Sequence, residues 1–145
     1  RTDLASLVAA RTALELTCFD LAAERFGNPL VNGRLLAALR SEDNPGPDAG
    51  RGFHATLIEQ ADNQPLALFA ATLIDMQGEA IDASGEPRDL ERLLLDEEDS
   101  WRDHAQIYAA LATGDKAQAR DHLERHLERL GEATLARVAR TRRLA

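Results

Sequence analysis

Only one cysteine, Cys18, occurs in the 145 residues. No intrachain disulfide can form, and a reducing compartment is the natural reading. Cys18 lies among Leu14, Leu16, Leu21 and Ala22, so it reads as a small core residue rather than a reactive thiol. No apolar run approaches the ~20 residues that a membrane-spanning helix needs. No basic-then-apolar leader opens the chain either. The expectation is a soluble, cytoplasmic protein with no membrane partner.

Aromatic residues are scarce, with four Phe, one Tyr and one Trp, yet 44% of the chain is apolar, so Leu and Ala must fill the core. That is a helical composition. Basic residues are outnumbered 17 to 25 for a net charge of −8, which argues against a nucleic-acid surface spread over the chain. The basic tail of Arg137, Arg140, Arg142 and Arg143 reads mainly as a complement to a helix C-terminal dipole. Also missing are a nucleophile elbow, a phosphate-cradling glycine loop and a close carboxylate pair.

What the chain does have is histidine in a telling distribution. His54, His104 and His126 each fall on an amphipathic stretch, in GFHATLIEQADN, WRDHAQIYAALATGD and ARDHLERHLERL. Such wide spacing fits no zinc-finger loop. It fits three helices of a bundle that aim imidazoles at one central point, where zinc, nickel, copper or iron would be at home. His122 stands one turn before His126 and either shares that site or packs elsewhere. Arg11 either clamps a carboxylate or bridges to Glu15 one turn on. Asn63 reads as a helix cap or a ligand contact.

The periodicity predicts an all-α antiparallel bundle of six or seven helices in one domain, residues 1–145, without repeats. A first helix runs from an Asp3 cap to about Phe26 and is broken by Gly27-Asn28-Pro29. A second covers Leu30 to Arg40, followed by a loop from Ser41 to Pro47. The His54 helix spans Asp48 to Ala61, with Gly50 and Gly52 weakening its first turn by about 1 kcal/mol each. Asn63 and Pro65 start the next helix, whose apolar face holds Leu66, Phe69, Ala70, Leu73 and Ile74. Gln77 to Pro87 reads as a loop. Arg88 to Ala112 is helical, with a break near Asp96 to Asp99, and Gly114-Asp115 stops it and caps a last helix from Lys116 to about Thr141.

Several of these residues carry a resemblance. Phe53-His54, then Asn63, then His104 leading to Ile107, Ala110, Gly114 and Asp115, then His126, together resemble an FCD domain. This is the effector-binding C-terminal half of FadR-type regulators in the GntR family of bacterial transcription factors. The stretch from Arg11 to Glu15, followed by Leu21-Ala22-Ala23, resembles the family's opening motif, and the similarity runs from about residue 4 to about residue 130. It implies an effector-sensing and dimerisation domain that is not an enzyme. Its winged helix-turn-helix is absent from this chain, so DNA would be met only through that missing N-terminal part.

The resemblance implies a homodimer and a small carboxylate effector in the bundle core. Beside the effector it implies a divalent metal on His54, His104 and His126, zinc foremost, with nickel, manganese or iron as alternatives. Arg11, Asn63 and His122 are the candidate effector contacts. One departure stands out. The metal-binding members carry an aspartate four residues before the first histidine, and this chain has Gly50 there. With three neutral imidazoles alone a divalent ion would keep its full charge, bind less tightly and favour an anion in its open position. Asp48 is the nearest substitute carboxylate, if the glycines let the backbone turn inward. Two other readings stay open: a metal-dependent hydrolase-like enzyme, since a three-histidine zinc lowers the pKa of bound water towards ~7, and a metal-free helical interaction module.

The charge balance makes one firm prediction. Titrated with DNA at physiological salt, this chain should show no sequence-selective binding, because the counterion release that drives such binding needs clustered basic side chains. Selective retention of one DNA sequence would refute it.

Overall fold

The computed structural model describes residues 3–43, 52–81, 91, 94–95 and 97–145. Every element among them is a helix: α1 (Leu4–Arg25), α2 (Pro29–Asp43), α3 (Gly52–Glu59), α4 (Gln64–Ile81), α5 (Glu97–Ala112) and α6 (Lys116–Leu144). The all-α bundle expected from the composition is therefore what the chain forms.

Local chemistry sets most boundaries. Asp3 caps α1, accepting from the Ala5 N–H (3.2 Å). Gly27, at φ 113°, turns the chain, and Pro29 opens α2, where its missing N–H costs nothing. Asn63 caps α4 by accepting from the Leu66 N–H (3.1 Å). At the end of α5, Gly114 takes φ 81° while Asp115 N–H reaches Ala110 O (2.9 Å) and Gly114 N–H reaches Leu111 O (3.0 Å). That is a Schellman stop. Asp115 then caps α6 through the Gln118 N–H (3.0 Å), so α5 and α6 run as antiparallel neighbours.

α1 packs against α4 and α6, α2 against α3 and α5, and α5 along α6. The main core joins Leu16 and Phe19 of α1, Val31 and Leu35 of α2, Phe53 and Leu57 of α3, Ile107 of α5, and Leu123 and Leu127 of α6. A smaller cluster holds Cys18, Ile58, Ala61 and Ala70, so Cys18 is a packing residue and burial pushes its thiol pKa up. No described helix is long and apolar enough to cross a membrane.

Four sequence expectations need correction. Ser41 to Asp43 continue α2 instead of opening a loop, and α4 extends through Gln77 to Ile81. Gln77 turns inward because the helix ladder and two side-chain bonds satisfy its polar groups: Arg11 Nη1–H donates to its Oε1 (2.8 Å) and its Nε2–H to Thr134 Oγ1 (2.7 Å). Phe69 is 58% exposed, on the outer face of α4 with Leu68 and Met76. Leu66, Ala70 and Ile74 do face inward. The last helix runs past Thr141 to Leu144. Position 50 and Asp48 lie outside the described residues.

Where α1 meets α6 the approach is close. A Cβ at Gly131 would fall 2.5 Å from Val8 Cγ1. Gly131→Ala should destabilise the fold by about 1–3 kcal/mol through overpacking, despite alanine's better helix propensity. Adding Val8→Ala should recover most of the loss in urea unfolding. A single Gly131→Ala variant as stable as the parent would contradict this packing.

Candidate metal centre

The three histidines of the sequence reading come together. His54 is the third residue of α3, whose buried face is Phe53, Leu57 and Ile58. His104 precedes Ile107 by one turn of α5, and His126 lies between Leu123 and Leu130 on the buried stripe of α6 with no exposed surface. Each ring points into the bundle because its helical neighbours do. The Nε2 atoms of His54, His104 and His126 form a triangle with every side 3.1 Å. The His104 ring also stacks on Phe53, with centroids 4.9 Å apart, which holds its plane.

Each Nδ1 atom faces away, towards a carboxylate. His54 Nδ1 contacts Glu15 Oε1. His104 Nδ1 meets both oxygens of Glu42, at 2.8 and 2.9 Å. His126 Nδ1 is 2.7 Å from Asp103 Oδ2. An ionised carboxylate only accepts, so all three Nδ1 atoms carry the hydrogen. In the neutral rings the three Nε2 lone pairs then face one another, an arrangement that requires positive charge at its centre. Metal-bound imidazoles are oriented in this way by outer carboxylates.

A fourth group closes the cluster. Glu91 places Oε2 2.8 Å from His54 Nε2, and Oε1 3.0 Å from His104 Nε2 and 2.6 Å from His126 Nε2. The donor atoms of His54, Glu91, His104 and His126 all lie within 4.8 Å of one another. Metal–nitrogen bonds to imidazole are about 2.0–2.1 Å long, and nitrogens 3.1 Å apart fit on one such ion. Three imidazoles and a carboxylate, with every Nδ1 anchored, thus make a donor set that fits a divalent cation.

The electrostatics point the same way. Burial alone would depress the His54 imidazolium, but the Glu15 and Glu91 carboxylates overcome it and lift its pKa from 6.5 to about 10. His104 is likewise raised against its burial by Glu42 and Glu91. Burial would raise the carboxyls, yet His54 holds Glu15 down at about 2. Glu91 is held well below the usual range, and Asp103, bonded to His126 and Arg129, sits at about 2. Four carboxylates surround the three rings, while Arg11 and Arg129 compensate from outside. The remaining negative charge is met by protons on the imidazoles or by a metal ion.

The other candidates are placed differently. Arg11 makes the i,i+4 bridge to Glu15 (3.4 Å) and also bonds Gln77, so it acts on the centre through Glu15. Asn63 is engaged as the α4 cap. His122 is half-buried beside Arg125 Nη2 (3.5 Å) and outside the four-residue cluster.

Glu42, Glu91 and Asp103 went unrecognised in the sequence. Glu91 did leave a signal, because Leu94 and Leu95, three and four residues on, pack against the core, which puts an acid on an apolar stripe. Asp103 likewise shares a stripe with the buried Ile107 and Ala110, four and seven residues on. Glu42 left none, since it lies in the polar run read as a loop.

The paired charges give a signed pH dependence for metal-free protein. His54, raised from 6.5 to about 10, contributes stability that is whole below 6.5 and lost as pH rises through 10. Glu15, lowered from 4.5 to about 2, contributes stability that is whole above 4.5 and lost as pH falls through 2. In excess chelator the urea midpoint should therefore be lower at about pH 9 than at about pH 6, and Glu15→Gln should flatten that difference. A midpoint that climbs between those two pH values would contradict the pairing.

Comparison with known proteins comes down to one match. No curated protein and no solved structure shows significant similarity to the chain. The family model of the FCD domain, an effector-binding domain of transcription regulators, matches residues 6–129. That span runs from the first turn of α1 to the middle of α6 and takes in all four residues of the cluster, and the chain belongs to the FCD domain family.

Proposed function

We propose that this chain is the effector-sensing and dimerisation domain of a GntR/FadR-type bacterial regulator. In this reading it binds a small organic acid beside a divalent metal held by His54, His104, His126 and Glu91. The observation that carries it is the inward triangle of Nε2 atoms, each ring anchored at Nδ1 by a carboxylate. Zinc suits this donor set best, and nickel, manganese or iron also fit imidazole with carboxylate.

Glu91 changes the charge argument made from Gly50. The carboxylate absent at position 50 is supplied from elsewhere in the chain, so a divalent ion in the cluster keeps one positive charge rather than two. That charge still favours an anionic effector. Of the three candidate contacts, Arg11 is best placed, since it is bonded to the residue that orients His54. When bound, the metal would supply an electrophilic anchor for a carboxylate. The protein's part is to fix the rings, exclude water around them and anchor each Nδ1–H through its hydrogen bond to Glu15, Glu42 or Asp103. These carboxylates are committed to the histidines, which argues against a hydrolase, where one would serve as general base.

Self-association is part of the proposal. The outer face of α4 offers Leu68, Phe69 and Met76 as apolar surface for a second copy. Ligand would bias one of two dimer arrangements, and it can do so only through a difference in affinity between them. DNA contact would belong to a winged helix-turn-helix elsewhere in the regulator.

Native mass spectrometry of freshly purified protein should report a dimer with about one divalent ion per chain and a retained small acid. His104→Ala should lose the ion, and Glu91→Gln should bind it about 10- to 100-fold more weakly. Metal content unchanged in both variants would end this reading.

A further inference from the structure

We infer that Glu42 is a positioning residue for the metal, and that position 52 is glycine because only a missing side chain admits the Glu42 carboxylate. The inference rests on the metal reading above.

Glu42 stands one residue before the end of α2, and among the described residues its carboxylate reaches two other helices. It accepts from His104 Nδ1–H with both oxygens, at 2.8 and 2.9 Å. It also accepts from the backbone N–H of Phe53, at 3.4 Å, in the first turn of α3. The next residue is His54. One carboxylate therefore fixes the tautomer of one ligand and the start of the helix that carries another. Stacking of Phe53 on the His104 ring joins these contacts into a single packed unit.

Gly52 has no conformational reason to be glycine, because it lies within α3 and outside the positive-φ positions of the chain. Alanine would be the better helix former there. The reason is spatial: a Cβ at position 52 would fall 2.9 Å from Glu42 Oε1, with Cδ and Cγ at 3.8 and 3.9 Å. The atom in the way is the tip of a flexible side chain. An added methyl is relieved when Glu42 swings aside, so the fold survives and the loss falls on the His104 hydrogen bond.

The test is a Co2+ titration of the whole chain, with affinity read by competition against a chromophoric chelator and geometry by the visible spectrum of the bound ion. Metal-free stability is followed in parallel by urea unfolding. Glu42→Gln should weaken Co2+ about 10- to 100-fold and shift the spectrum. Gly52→Ala should weaken it in the same direction while the metal-free protein still unfolds cooperatively, with only a modest fall in its urea midpoint. The double variant should be no weaker than Glu42→Gln alone, since both changes act through one contact. Gly33→Ala, in α2 with nothing within 4 Å of its added Cβ, should leave the affinity unchanged.

Parental affinity and spectrum in Gly52→Ala would overturn the inference. So would fully additive losses in the double variant, or a collapse of metal-free stability in Gly52→Ala. Parental protein that binds Co2+ while Glu42→Gln binds it equally well would remove the role of Glu42 and leave the metal reading standing. Parental protein that binds no metal would overturn both.

Discussion

Three imidazole nitrogens held 3.1 Å apart with their lone pairs inward form the constraint around which the bundle is organised. Such a triangle is repulsive unless a positive charge occupies or borders it, and it sits where the domain is most buried. His126 and Glu15 have no exposed surface at all. Burying ions is costly unless each is paired and hydrogen-bonded, and here every member is. Glu15, Glu42 and Asp103 each take one Nδ1–H, while Glu91 spans the three Nε2 atoms.

Nearly every helix contributes to meeting that constraint. α1 supplies Glu15, α2 Glu42, α3 His54, α5 both Asp103 and His104, and α6 His126. The adjacent pair Asp103-His104 serves two rings at once, because residues one apart on a helix diverge by about 100°. His104 is itself a member of the triangle, and Asp103 orients His126. α4 takes part at one remove, through Gln77 on Arg11 and Arg11 on Glu15. α4 also carries the exposed Leu68, Phe69 and Met76 on its outward side, so one helix touches both the interior network and the apolar exterior.

A polar cluster at the centre of a small bundle also needs apolar support. Phe53, Ile107, Leu123 and Leu127 surround it. Phe53 stacks on His104, and the helical neighbours of each histidine keep its rotamer inward. Replacing the charged groups with hydrophobic ones would often be neutral or stabilising in a buried site. Retaining four acids and three histidines here therefore speaks for a ligand rather than for stability alone.

Helix positions, caps and the three histidines were legible in the sequence because they depend on short-range chemistry. Asp3, Asn63 and Asp115 cap as their side chains dictate. Period 3.6 places His54, His104 and His126 on buried stripes whatever lies opposite. The outer ring of carboxylates was not legible. Pairing Glu15 with His54, Glu42 with His104 or Asp103 with His126 depends on which helices lie side by side, and those partners stand 39, 62 and 23 residues apart. No periodicity encodes such distances. The aspartate missing at Gly50 is the sharpest case. Nothing around Gly50 in the chain points to Glu91, yet the fold sets the Glu91 carboxylate against all three Nε2 atoms. By itself the sequence determined the helices, their caps and the inward placing of the three histidines, since these follow from helical period and short-range chemistry. Only the tertiary structure decided which inward residues meet, because charge and hydrogen-bond complementarity act through space and take no account of separation along the chain.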